Sequence, residues 1–216
     1  MLKIINQLKK AFKYQKSGKM GDFALIKADI LGARVSPAIA EKLEKVIGYY
    51  PTINLKELIN YPPGSFGREY AEHMISNNLQ TLGISPELSD IALRNVFAMR
   101  YLITHDIFHV LLGFDTSYAG EIGVLAFAVA QNYSKSQNIS IWLAKLIYPI
   151  LAPGQIREIF ANLKKGKELG EKANFLLGYR FEEHWQESIE YIRHQLGLPQ
   201  LNQMNQSEYP SSLVAK

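Results

Sequence analysis

The chain has 216 residues, 47% of them hydrophobic and 20% charged, which suits one large globular domain and excludes a disordered or collagen-like chain. Cysteine is absent, so there is no disulfide framework and no thiolate metal site; any metal must be held by His, Asp, Glu or water. The net charge of +4 belongs to one end, because residues 1–19 carry six lysines and no acid, and this argues against a chain-wide nucleic-acid footprint.

In that first stretch, "MLKIINQLKKAFKYQKSGK", Leu2, Ile5, Leu8 and Phe12 recur at helical spacing among lysines. The pattern predicts a basic amphipathic helix over 1–19, separable from the body. It either lies on an anionic membrane surface or is a first helix with a solvated lysine face. It lacks the arginines of a mitochondrial presequence and shows no signal-peptide pattern. Further on, "DFALIKADILG", "PAIAEKLEKVIGYY" and "REYAEHMISNNLQTLG" each space apolar residues three and four apart and stop near Gly or Pro. Before the last of them, "INYPPGSFGREYAEHM" (59–74) builds a stiff turn into a helix. Arg68 near that helix start is either a surface residue or a polar contact for an anionic head group. His73 has no partner close in sequence and is expected to be structural.

The longest periodic stretch is 85–113. Ser85 is the expected N-cap, Pro86 the first helical residue and Gly113 the C-terminal cap. A short connection, "FDTSYAG", leads to another apolar helix from Glu121 through Tyr133. The most apolar runs, at 123–130 and 139–153, fall short of the roughly 20 residues a bilayer span needs. Residues 153–174 read as a polar surface helix and "RFEEHWQESIEYIRHQLG" (180–197) as the last helix. In that last stretch Trp185, Ile189, Ile192 and Leu196 form a core stripe, Arg180 and Glu182 an ion pair, and His184 and His194 face solvent. Period-two strands are scarce. The prediction is an all-α, single helical-bundle-like domain over 20–198, with a flexible tail over 199–216.

Within "THDIFHVLLGFDTSYAGE" (104–121), a helix places His105 and His109 about 40° apart and Asp106 about 100° from His105. The connection returns the chain, so Glu121 arrives near the N-terminus of the next, antiparallel helix, a favourable place for a carboxylate. Two imidazoles and two carboxylates from adjacent helices make a metal site; the alternative is a histidine pair bonded to Asp106 with Glu121 in solvent. The neighbours are apolar, and a buried aspartate beside two histidines is costly unless a cation pairs it. Without sulfur the set suits Zn, Fe or Mn as divalent ions. Four ligands close a tetrahedral zinc site, whereas an octahedral ion keeps two positions open.

Three blocks, "YPPGSFGREYAEHM", "HDIFHVLLGFDTSYAGEIGVLAFAVAQ" and "RFEEHWQESIEYIRHQLGL", resemble the ubiquinone (coenzyme Q) biosynthesis family that is fourth in the yeast Coq series. The signature is His-Asp-x-x-His, then eleven residues and Glu, and it falls here on His105, Asp106, His109 and Glu121. The resemblance runs from about Leu31 to Leu198. It implies an all-helical protein, peripheral to a membrane, with a metal on those four residues. A bacterial relative would sit on the cytoplasmic side of the inner membrane, a eukaryotic one on the matrix side of the mitochondrial inner membrane. The implied ligand is a polyprenylated aromatic or other isoprenoid lipid, and the implied partners are other quinone-biosynthesis proteins, with a homodimer as a further expectation. Two roles follow from the family: oxidative decarboxylation at ring carbon one, replacing carboxyl by hydroxyl, or a non-catalytic prenyl-lipid-binding scaffold whose metal is structural. For the second, Phe108, Leu112, Ile122, Leu125, Phe127 and Val129 are the candidate walls of an apolar channel, against ordinary core packing.

Overall fold

The computed structural model describes residues 2–201, with side chains from residue 7 onward. Of the expected features, the side chains of Leu2 and Ile5 and most of the C-terminal tail (202–216) lie outside the described residues. The described residues form eleven α-helices with four short 3-10 turns and no strand, an all-α fold.

Helix α1 (Leu2–Lys16) packs along α2 (Met20–Ile30). Ala11 and Tyr14 make that contact with Leu25, Ile26 and neighbours. Leu8 and Phe12 point outward. Buried Asp22 of α2 accepts hydrogen bonds from the Ser85 backbone N–H (2.7 Å) and hydroxyl (2.6 Å). Ser85 does not cap a helix with its side chain: its hydroxyl donates to Asp22 and its oxygen accepts from Lys19 Nζ at 2.9 Å. Short helices α3 (Pro37–Leu43) and α4 (Leu55–Leu58) lead to α5 (Phe66–Ser76).

The stretch 85–113 is not one helix. A 3-10 turn (Pro86–Leu88) and α6 (Ser89–Arg94) precede a break at Asn95, whose side chain accepts from the Ala98 N–H at 3.2 Å and starts α7 (Val96–Leu112). An asparagine that satisfies an orphan N–H makes a helix start where apolar periodicity runs through unbroken. Helix α7 is the axis of the core: Ile107, Phe108, Leu111 and Leu112 are buried among Phe66, Tyr70, Phe127, Leu177 and Phe181. Gly113, at φ 68°, closes it with the left-handed residue that glycine adopts without strain.

Helix α8 (Tyr118–Ala130) follows, then α9 (Lys135–Leu151) and α10 (Ile156–Lys172). Helices α8 and α10 nearly touch. A Cβ on Gly166 would stand 2.1 Å from the Gly123 carbonyl, and one on Gly170 would stand 2.6 Å from that of Phe127. No side chain fits between those backbones.

Residues 180–197 are likewise not a single helix. A 3-10 turn (Phe181–Glu183) is followed by an irregular stretch and then α11 (Ile189–Gln195), capped by Ser188. Trp185 lies outside the helix and stacks on Phe66 and Tyr70, with centroids 4.9 and 5.2 Å away. Arg180 pairs with Glu183, not Glu182. Glu182 instead meets Arg100 of α7 through two hydrogen bonds of 2.7 and 3.1 Å, and Arg100 also donates to the Tyr179 carbonyl. Both partners are almost wholly buried. His184 is half-buried against Glu187, while His194 is exposed as expected.

Candidate metal centre

The histidines of α7 and the glutamate of α8 meet because the connection between them is short and tightly bonded. Asp115 accepts from the Ser117 N–H and hydroxyl, and Ser117 in turn accepts from the Gly120 N–H at 3.2 Å, starting α8. Two side chains beyond α9 hold that start: Gln155 accepts from the Ala119 N–H, and Asn162 donates to the Ala119 carbonyl. Glu121 thus sits in the first turn of α8 and faces α7.

Glu121 reaches both histidines. One carboxylate oxygen is 3.4 Å from His105 Nε2 and the other is 3.3 Å from His109 Nε2. His105, His109 and Glu121 each offer one ligand atom, all within 4.8 Å of one another. Asp106 is placed differently from a fourth ligand of that group: it lies 3.6 Å from the opposite ring nitrogen, Nδ1 of His105. A carboxylate on the outer nitrogen of a metal-binding imidazole fixes its orientation and raises its basicity. Asp106 also lines a cavity of about 260 Å³ shared by Tyr70, Met99, Ile103 and the loops at 50–53 and 81–84.

His109 is wholly buried and gripped by the turn after α7. The Phe114 N–H donates to the His109 carbonyl at 3.1 Å, and the Phe114 carbonyl accepts from His109 Nδ1 at 3.2 Å. A carbonyl only accepts, so Nδ1 carries the proton and Nε2 presents a lone pair. That lone pair is buried, faces a carboxylate and has no hydrogen-bond partner. Two acceptors facing each other at this distance repel unless a cation or a proton lies between them. Neutral imidazole nitrogens with a carboxylate form a donor set for Zn, Fe or Mn as divalent ions, and the residues present fit such an ion.

The electrostatics agree. Burial opposes charge on His105, yet Asp106 and Glu121 outweigh it and hold its imidazole up at about 9. Burial likewise opposes charge on Glu121, but the two histidines beside it draw it down to about 2. Both shifts favour positive charge between the ligating atoms.

The sequence reading missed one neighbour. His73 of α5 stacks on His109, centroids 5.8 Å apart and planes 19° apart, and its Nε2 is buried without a partner. Burial, and then His109, keep its pKa below the ordinary value. Tyr101 lies edge-on to His105 at 5.9 Å. Tyr148 of α9 has its phenol raised by burial and then by Glu121, so it too lies within the field of the centre.

The candidate lipid residues mostly do other work. Phe108, Leu112, Ile122 and Phe127 have no exposed surface and are packed in the core. Phe108 alone meets Tyr101, Phe127, Tyr133 and Phe181. Close packing against large rings leaves these four as core rather than channel wall. Leu125 and Val129 are partly buried against the cluster between α8, α9 and α10. Arg68 is tied to its own helix by Glu72 at 2.7 Å and also donates to the Tyr61 carbonyl, with a third of its side chain exposed.

Residues 46–202 match the model of the family described as coenzyme Q (ubiquinone) biosynthesis protein Coq4. Among curated relatives, the mitochondrial ubiquinone biosynthesis protein COQ4 homolog of Nematostella vectensis is 31% identical over 153 residues, covering 68% of this chain and 72% of that protein. The Homo sapiens COQ4 homolog is 28% identical over 151 residues, which is 68% of this chain and 55% of the human protein. The chain thus matches little more than half the length of its mammalian relatives. A crystal structure of a candidate ubiquinone biosynthesis protein from Nostoc punctiforme shares the fold at TM-score 0.64 and 21% identity, covering 92% of this chain and 96% of that one.

Proposed function

The chain belongs to the Coq4 family of coenzyme Q (ubiquinone) biosynthesis proteins, and from that premise we propose that it is a metal-dependent oxidative decarboxylase. Its substrate is a polyprenylated hydroxybenzoate, whose ring carboxyl at carbon one leaves as carbon dioxide and is replaced by a hydroxyl whose oxygen comes from water, while dioxygen takes up the two electrons and leaves as hydrogen peroxide. The buried, partnerless Nε2 of His109 facing Glu121 carries this reading.

His105, His109 and Glu121 would hold the ion, and Asp106 would orient His105. Three protein ligands favour chemistry over a structural role: structural zinc sites are closed by four, whereas two histidines and one carboxylate with open positions form the set of non-haem iron oxygenases. When bound, the ion would supply Lewis acidity toward a ring carboxylate or phenolate and a place for dioxygen. The protein's own groups do the rest. The Phe114 carbonyl holds His109 in its ligating tautomer, and the rings of His73 and Tyr101 pack against His109 and His105.

The test is elemental analysis and turnover on protein purified without chelators. Wild type is expected to carry about one divalent ion per chain and to release carbon dioxide from the prenylated acid under oxygen. His109→Ala is expected to lose the ion and the turnover while keeping its helical circular dichroism. Metal-loaded protein that binds the acid yet never converts it overturns the enzyme reading in favour of a lipid-binding scaffold.

A further inference from the structure

Helix α9 carries a glutamine that its own helix does not use. Ser134 starts α9 and accepts from the Ser136 N–H at 3.4 Å. With glutamine three residues on, Ser134-Lys135-Ser136-Gln137 has the spacing of a capping box, in which the glutamine would reach back to the Ser134 N–H. It does not. Gln137 is 6% exposed, and both polar atoms of its amide are buried without a hydrogen-bond partner among the described residues. An amide both donates and accepts, and leaving it dry and unpaired is costly. Counted at 100° per residue, Gln137, Ile141, Ala144 and Tyr148 fall within about 60° of one another, on the inner face of α9. Ile141 and Ala144 pack there in one cluster with Ile122 and Ala126 of α8. Gln137 stands beside Tyr101 of α7: burial and then Glu121 push the Tyr101 phenol up, and Gln137 is close enough to draw it back. The Tyr101 ring is walled by Phe97, Phe108 and Tyr133 and meets His105 with its edge. Tyr101, His105 and Glu121 are partly exposed, whereas His109 is closed off. The centre therefore opens on the side where Tyr101 and Gln137 stand.

We propose that Tyr101 and Gln137 form a subsite for a ring hydroxyl of an aromatic acid, whose carboxyl is then turned toward His105, His109 and Glu121. The class of ligand rests on the decarboxylase reading; the subsite rests on the unpaired amide. Phenol and amide both donate and accept, and neither carries charge. A hydroxyl can give its proton to the amide oxygen and accept from the amide N–H or the phenol. A carboxylate in the same place would find no positive charge on either residue and would stand in the field of Glu121. The two ends of the ligand are thereby told apart: the anion belongs to the centre and the neutral oxygen to α9. A ring that lacks the hydroxyl would leave the buried amide unpaired, and a site built to bond a hydroxyl rejects such an analogue. Gln137 on this account sets specificity and orientation, and it takes no part in the bond changes.

The experiment is isothermal titration calorimetry of the full chain, purified without chelators and kept in mild detergent. The probes are a geranylated hydroxybenzoate and the same geranylated benzoate without the ring hydroxyl. Wild type is expected to bind the hydroxylated ring about tenfold more tightly. Gln137→Leu, which keeps the bulk and removes the amide, is expected to bring the two rings within about twofold of each other. Tyr101→Phe, which keeps the ring on His105, is expected to reduce the preference to about threefold. Metal content and helical circular dichroism are expected to be unchanged in both variants. Ligand-free Gln137→Leu is expected to melt no lower than wild type, because an unpaired buried amide gives way to an apolar side chain. A lower melting temperature with the preference retained would assign the glutamine to the helix start and overturn the proposal. Equal binding of the two rings by wild type overturns the subsite and leaves the ligand class standing. A Gln137→Leu variant that keeps the preference does the same; should that variant not fold, a Tyr101→Phe variant that keeps the full preference decides likewise. Binding of neither ring overturns the aromatic-acid reading and the subsite with it. Discrimination between the rings without conversion supports the subsite and overturns the decarboxylase alone.

Discussion

At the scale of single residues, the candidate centre would set protons and a metal in competition for the same lone pairs. In the metal-free protein the His105 imidazole is raised from 6.5 to about 9, so its contribution to stability is complete below pH 6.5 and is lost as pH climbs through 9. Glu121 is lowered from 4.5 to about 2, so its contribution is complete above pH 4.5 and is lost as pH falls through 2. Both act in full between pH 4.5 and 6.5. Denaturation midpoints of metal-free protein should therefore fall between pH 6.5 and 9. Metal affinity should rise over the same interval, because the ion must displace the His105 proton. Titration calorimetry in buffers of different ionisation enthalpy would read that proton; a flat response would mean His105 is not held by its carboxylates. The candidate triad was legible in the sequence because His105, His109 and Glu121 lie on two consecutive helices, where spacing alone sets direction. His73 was not legible. Its ring reaches His109 through the packing of α5 on α7, and no local pattern encodes that.

At the scale of elements, two contacts decide where the ligands stand. The first is the α8–α10 crossing. Gly166→Ala would gain about 1 kcal/mol of helix propensity. That gain is outweighed, since the new methyl would sit 2.1 Å from the Gly123 carbonyl and overpacking costs about 1–3 kcal/mol. Because α8 carries Glu121, the displaced helix should also bind metal more weakly, measurable by competition with a chelator. The second contact is the buried pair of Arg100 and Glu182. Removing one partner leaves the other charged and dry, so Glu182→Ala should cost about 3–5 kcal/mol in denaturant titration. Helix existence was legible from apolar spacing, but two boundaries were not. Asn95 breaks a pattern that continues across it, and the irregular stretch around Trp185 interrupts another. In both places a local hydrogen bond or a long-range aromatic stack overrides periodicity. Glu182 likewise has a nearer basic neighbour in sequence, Arg180, yet finds a partner on α7.

At the scale of the whole molecule, the fold is expected to stand without a metal. The main core is built from α5, α7, α8 and the C-terminal segment, and the three ligands contribute only His109 to the wholly buried set. Stripping the ion should therefore lower the melting temperature without unfolding the chain. With free metal at about 100 times Kd the stabilisation is about 2.7 kcal/mol, which for a domain of this size is about 5–10 °C. Scanning calorimetry with and without chelator reads it, and collapse of the far-ultraviolet signal on chelation would instead assign the ion a structural role.

The grip on His109 has a consequence for inheritance. Both bonds that fix its ring and its carbonyl come from the main chain of residue 114 and not from a side chain. Substitution at that position alters the ring lying over Gly123 but leaves the peptide oxygen where the turn puts it. The proton on His109 is thereby insured against drift in the residue that controls it, and no side-chain comparison would register how it is held.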